Sequence, residues 1–211
     1  MKEFLTGLRT QAWRTAGARY NAARRLRRRE LFSTVSLAFF SSLTIVLAFI
    51  QRIYAVQPGT QLDNYLTALS VCLGVFLLSI SLMEWGAANG AKADSLHRNA
   101  EDLTAFQLKV AQCLAGISEG ESMTWGTVET LRDEYETVKG RCSHNHLPLD
   151  DWAFRAERRK APEFETASGT PAMTGLEAWW VLCRHWLASV WYFGLFWLAV
   201  GTVLSRTPWV Q

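Results

Sequence analysis

The residues of this chain best suited to chemistry lie between positions 133 and 151. In "RCSHNH", Cys142, His144 and His146 set a thiol and two imidazoles at alternating positions. Zinc sites are usually built on CxxC or HxxxH spacing, and alternation suits neither. A fourth ligand would have to come from His97 or an acid, so we expect no metal here and a loop whose His and Asp side chains bond backbone instead. Carboxylates pair at Asp133 and Glu134 and at Asp150 and Asp151, but neighbours on a helix point in different directions. There is no Gly-rich phosphate loop, no G-x-S-x-G and no HExxH. These residues argue against an enzyme, and no cofactor is expected.

A second set is more informative. Thr67, Ser70, Gly74, Leu77, Ser81 and Glu84 follow helical offsets and form one stripe, small and polar, that ends in a carboxylate. One reading is a packing seam, since small residues let helices approach closely and Ser70-x-x-x-Gly74 fits that pattern. The other is the wall of an oligomeric pore, with Leu77 as a hydrophobic constriction and Glu84 as a charged ring favouring cations. Thr34, Ala38, Ser41, Ile45 and Ala48 make a similar line further up the chain.

Both lines sit in uncharged runs. Leu31 to Ile50 is twenty residues without a charge, Tyr65 to Met83 is nineteen, and Trp186 to Ser205 is twenty. At about 1.5 Å rise per residue, such helices match a hydrocarbon slab of roughly 30 Å. The mean hydropathy of +0.02 hides these blocks by averaging them with a polar middle. Three membrane spans are predicted. The first apolar run is too long, and begins too far along the chain, for a signal peptide.

Charge placement predicts the topology. Arg24, Arg25, Arg27, Arg28 and Arg29 stand directly before the first span, and the first thirty residues carry nine basic against two acidic side chains, +7. The loop from Gln51 to Asn64 holds one arginine, so the N-terminus is expected in the cytoplasm and the C-terminal "RTPWVQ" outside. The arginine run reads as a membrane-surface anchor, each residue contributing about 1 kcal/mol near an anionic leaflet. Beside a span, that run does not suggest nucleic acid. Glu84 to Ala178 carries ten basic against sixteen acidic side chains, −6, so the two cytoplasmic pieces should attract. The four cysteines fall in spans or on the cytoplasmic side, which argues against disulfides.

The cytoplasmic middle is helical by period. Leu96, Leu103, Val110 and Ile117 recur every seven residues, so one long helix is predicted from the membrane to near Gly116, its heptads packing within the subunit or against another copy. Ser122 is the expected N-cap of a return helix whose buried face runs Trp125, Val128, Leu131, Tyr135, Val138 and Cys142. The N-terminal helix, with Trp13, Ala16, Tyr20 and Ala23 on one face, could lie on the membrane or pack on this hairpin. The predicted fold is an all-α integral membrane protein. Its pieces are a basic N-terminal helix (1–30), a transmembrane hairpin (31–83), a cytoplasmic helical domain (84–160), a Pro/Gly/Ser/Thr linker (161–178) and a third transmembrane helix (179–205).

"AWRTAGARYNAARRLRRRELFSTVSLAFFSSLTIVLA" resembles the opening of the SLATT family, two-transmembrane effectors associated with SMODS nucleotidyltransferases and SLOG domains in bacterial conflict systems. Trp13, Arg19, Ala22, Arg25 and Leu26 carry that likeness, and Leu96, His97, Asn99 and Ala100 extend it. "YETVKGRCSHNHLPLDDW" is similar to the family's later loop through Tyr135, Asn145, His146, Asp151 and Trp152. The resemblance implies an inner-membrane effector that oligomerises and perforates the bilayer when a nucleotide second messenger or a nucleotidyltransferase-system partner triggers it. It implies no catalytic residue. The rival expectation is a constitutive membrane scaffold that recruits a partner and never conducts.

Overall fold

The computed structural model describes residues 1–53, 57–120 and 122–205. The C-terminal segment expected outside the membrane, 206–211, lies beyond the described residues. Six α-helices make up the described chain: α1 (Lys2–Ile53), α2 (Gln61–Ala87), α3 (Asn89–Ser118), α4 (Trp125–Gly140), α5 (Pro148–Glu157) and α6 (Gly175–Ser205). A 3-10 turn occupies Pro162–Phe164, and the sole extended pairing among the described residues is an isolated bridge between Glu165 and Pro171. The chain is all-α, and α1, α2 with α3, and α6 each contain a stretch long and apolar enough to cross a membrane.

The predicted basic helix and first span are one helix of 52 residues. Nothing interrupts it, because the sequence across the junction is rich in Ala, Arg and Leu and holds no Pro. The long helix predicted from the membrane to near Gly116 is α3, and it is separate from the second span. Ala88 takes a left-handed conformation (φ 46°) and donates its N–H to the Glu84 carbonyl at 3.1 Å, which closes α2 before α3 begins.

Two compact units result, Met1–Arg27 with Gly90–Ala188 and Arg28–Asn89 with Ser189–Gln211, and α1 and α6 contribute to both. In the first unit, Leu5, Leu8, Ala12 and Ala16 of α1 pack against Leu103, Phe106 and Val110 of α3 and Val128, Leu131, Tyr135 and Val138 of α4. Ala22 and Ala23 continue this against Ala93, Leu96 and Cys142. The N-terminal helix therefore packs on the hairpin. Leu96, Leu103 and Val110 are buried and Ile117 is partly buried within one chain, the intrachain one of the two packings that the heptads allow. The apolar period marks an intrachain core.

Two further expectations shift. Thr124, not Ser122, caps α4, accepting from the Thr127 N–H at 3.3 Å. Starting there, the helix turns Val128 and Leu131 inward and leaves Trp125 64% exposed. The predicted linker is shorter than expected, since α6 begins at Gly175. Thr174 accepts from the Glu177 N–H at 3.3 Å while Glu177 Oε2 accepts from the Thr174 N–H at 2.8 Å, a reciprocal capping box. Upstream, Phe164 stacks on Trp13 at 5.5 Å.

In the second unit α6 is a full member of the bundle. Phe40 and Leu47 of α1 and Leu66, Leu69 and Leu73 of α2 form a core that Phe196, Trp197 and Val200 of α6 complete. Trp197 donates its indole N–H to Ser36 Oγ at 3.0 Å, and Tyr65 donates its hydroxyl to the Val203 carbonyl at 2.6 Å. Such bonds satisfy polar groups that find no water in hydrocarbon.

Candidate functional site

Proline at the first position of α5 suits a helix start, and Asp150 two residues later reaches back to the Leu147 N–H at 2.8 Å. This leaves Asp150 fully buried. Arg25 of α1 meets it in a fork, Nε to Oδ1 at 2.9 Å and the terminal nitrogen to Oδ2 at 3.2 Å. His185 of α6 lies with Nε2 at 3.0 Å from Oδ1. Asn21 donates to the Asp150 carbonyl at 3.3 Å. Burial alone would raise the Asp150 pKa, but hydrogen bonds from His185, Arg25 and the Leu147 backbone hold it below the ordinary carboxylate value. One buried carboxylate thus ties three helices.

Beneath this hub, Arg19 is buried and donates to the carbonyl of Lys139 at 3.2 Å and to the side-chain oxygen of Asn99. Asn99 in turn donates to the Val138 carbonyl at 2.7 Å. These two residues, both part of the family-like pattern, close the C-terminus of α4, where a cation also complements the helix dipole. Burial lowers the Arg19 pKa below its ordinary value.

Asp151 turns the other way. It pairs with Arg155 at 2.9 Å and with Arg14 at 3.4 Å, and with Arg14 it borders an open groove of about 940 Å³. One wall of the groove is α1, through Thr6, Thr10, Gln11 and Arg14, and another is the loop carrying Asn145 and His146. Asn145 Oδ1 accepts from the His146 N–H at 3.0 Å. Burial lowers the His146 pKa against the opposing field of Asp151, so the ring is neutral near pH 7. His146 Nδ1 and Arg14 Nε are buried with no hydrogen-bond partner among the described residues. Each such group costs about 1–3 kcal/mol if left unmet.

The loop residues separate by role. Asn145, His146 and Asp151 line the groove. Tyr135 is buried in the α1–α3–α4 core with its hydroxyl 3.2 Å from Thr15 Oγ1, and Trp152 is half exposed. Cys142 packs with Ala93 and Leu96 and lies 3.2 Å from Ser95 Oγ, and no three metal-ligating side chains converge among the described residues.

In the second unit, Glu84 accepts from Asn89 at 2.8 Å and Tyr192 at 2.8 Å and meets Arg29 at 3.5 Å. Arg29 also stands over the Tyr192 ring at 5.2 Å. The rest of the stripe lies at the rim of the packed face: Thr67, Gly74 and Ser81 are exposed, and Ser70 and Leu77 are half-buried. The remaining arginines are engaged too. Arg24 meets Glu157 at 3.3 Å, Arg27 meets Asp94 at 2.9 Å, and Arg28 is not free either. Sequence reasoning passed over His185 and took Asp150 only as half of an acid pair; Pro148 three residues into "HLPLDD" was the local signal that an N-capping acid follows.

An all-α chain with three stretches long and apolar enough to cross a membrane defines the class as an α-helical membrane protein. The chain belongs to the SMODS and SLOG-associating 2TM effector domain family 5, whose model matches residues 1–204. The match includes α6, so the third apolar helix is within the family's own extent. No curated protein and no solved structure shows significant similarity to the chain.

Proposed function

We propose that this chain is a signal-gated effector of a bacterial conflict system. The unit built on α3 to α5 receives the trigger, and the three-helix unit permeabilises the inner membrane as a closed homo-oligomer. A nucleotide-signalling system supplies the trigger, directly or through a partner protein. The N-terminus is cytoplasmic, the C-terminus external, and the half-exposed guanidinium faces of Arg24 and Arg27 rest against anionic headgroups.

The observation that carries this reading is the capture of Glu84. A carboxylate at the end of a membrane helix, held by Arg29, Asn89 and Tyr192, is what a resting state of a gated path requires. Releasing it would give each subunit one acidic group for a ring at the mouth. An effector needs two such states, and a scaffold needs one.

Dye release from liposomes reconstituted with the purified chain tests it. Tyr192→Phe and Arg29→Gln each remove a partner of Glu84 and should raise basal release several-fold over the wild type at equal incorporated protein. Release no greater than that of empty liposomes for wild type and both variants would leave the scaffold reading in its place.

A further inference from the structure

The groove beside Asp151 has a chemistry the gating scheme does not use. Its α1 wall presents Thr6, Thr10 and Arg14 at successive i, i+4 positions, with Gln11 beside them. Positions four apart on a helix are about 6 Å apart along its axis. The groups on one edge of an extended polypeptide recur every two residues, about 6.6–6.8 Å. The two ladders nearly coincide.

The loop wall supplies the Asn145 carboxamide and the imidazole of His146, whose Nδ1 is buried without a partner among the described residues, so both walls offer hydrogen-bonding groups. Charge argues against a polyanion. Two carboxylates, Asp151 and Glu163, border the groove, and the arginines nearby are already spent on them, Arg14 and Arg155 on Asp151 and Arg9 on Glu163 at 3.1 Å. A phosphate would have to displace these pairs, whereas an amide backbone would not. At Gly7 an added Cβ meets nothing within 4 Å, so that end of the wall lies open.

We propose that this groove docks an extended, polar segment of a partner protein, four or five residues of which bond to the hydroxyl and carboxamide ladder of α1. The proposal rests on the receiver role given above to this unit, but it does not rest on conduction. The trigger is then delivered by a polypeptide contact rather than by a free nucleotide entering this groove.

The full chain in detergent can be panned against a phage library of unconstrained octapeptides, with Thr10→Trp, which fills the groove, as counter-selection. Circular dichroism and thermal melting establish that this variant folds. A related set of peptides should enrich on wild type. A synthetic member should lose at least tenfold in affinity with Gln11→Ala or Asn145→Ala, and keep it with Arg98→Ala, which lies in another cavity. No enrichment over counter-selection, or a peptide that binds Thr10→Trp and Gln11→Ala as well as wild type, overturns the proposal. So does variant-sensitive binding of ATP, GTP or a cyclic dinucleotide in place of peptide. Failure of the dye-release test would leave the peptide affinity unchanged, so the two readings fail separately.

Discussion

The His185 Nε2 and the Asp150 carboxylate stand 3.0 Å apart, and this pair joins the third turn of α6 to the first turn of α5 across a separation of 35 residues. Asp150 is fully buried and Arg25 nearly so, which makes the pair part of a three-helix knot rather than a surface contact. Removing one partner of such a knot leaves the others buried and unmet.

Asp150→Asn should therefore destabilise the first unit by about 3 kcal/mol, as measured by thermal melting in detergent at neutral pH. The pH dependence has a definite sign. Because the folded-state pKa is held below the ordinary 3.8, the stabilisation is fully present above that value and is lost as pH falls through the folded pKa. Wild type should lose stability on acidification below about pH 4, and Asp150→Asn should show a flatter profile there. A parallel decline in both proteins would remove Asp150 as the titrating group.

Gly17 faces the Phe154 ring so closely that an added Cβ would lie 2.2 Å from it. Gly17→Val should cost about 1–3 kcal/mol by forcing α1 and α5 apart. Shortening the ring with Phe154→Ala in the same chain should recover part of that loss relative to the sum of the single changes. Simple additivity of the two would mean the helices do not approach as described.

The stripe on α2 offers a cleaner test in this fold than in the sequence alone. A Cβ at Gly74 meets nothing within 4 Å inside one chain, so Gly74→Leu leaves the monomer's packing intact. Loss of an oligomer in that variant, read by crosslinking or light scattering, would report a seam between copies. Leu77→Ser should instead raise dye release without lowering the amount of oligomer, as wetting a constriction does. A variant pair that changes neither would take the stripe out of both roles.

Glu84→Lys faces Arg29 with a like charge and should weaken the second unit while opening the path. In bilayer recordings of channels that do open, cation preference should fall or reverse. Unchanged selectivity would place Glu84 outside the conduction path, with its contacts to Arg29, Asn89 and Tyr192 serving as helix-end anchorage alone.

The sequence by itself determined the helical class and the membrane-length segments, because both are written in local periodicity and in runs of twenty uncharged residues. It also carried the opposite charges of the N-terminal helix and the acidic middle of the chain, and the ion pairs from Arg9, Arg14, Arg24, Arg25 and Arg27 realise that attraction within the first unit. Heptads at Leu96, Leu103 and Val110 showed that a face would be buried, but not whether α1 or a second copy would cover it. Tertiary structure alone decided that, and it decided which acid of Asp150 and Asp151 turns inward and which borders the groove. It brought Arg25 to Asp150 across 125 residues and Tyr192 to Glu84 across 108. Pairings at such separations leave no periodic trace in a single chain, because a buried charge needs a partner in space and not at any fixed spacing.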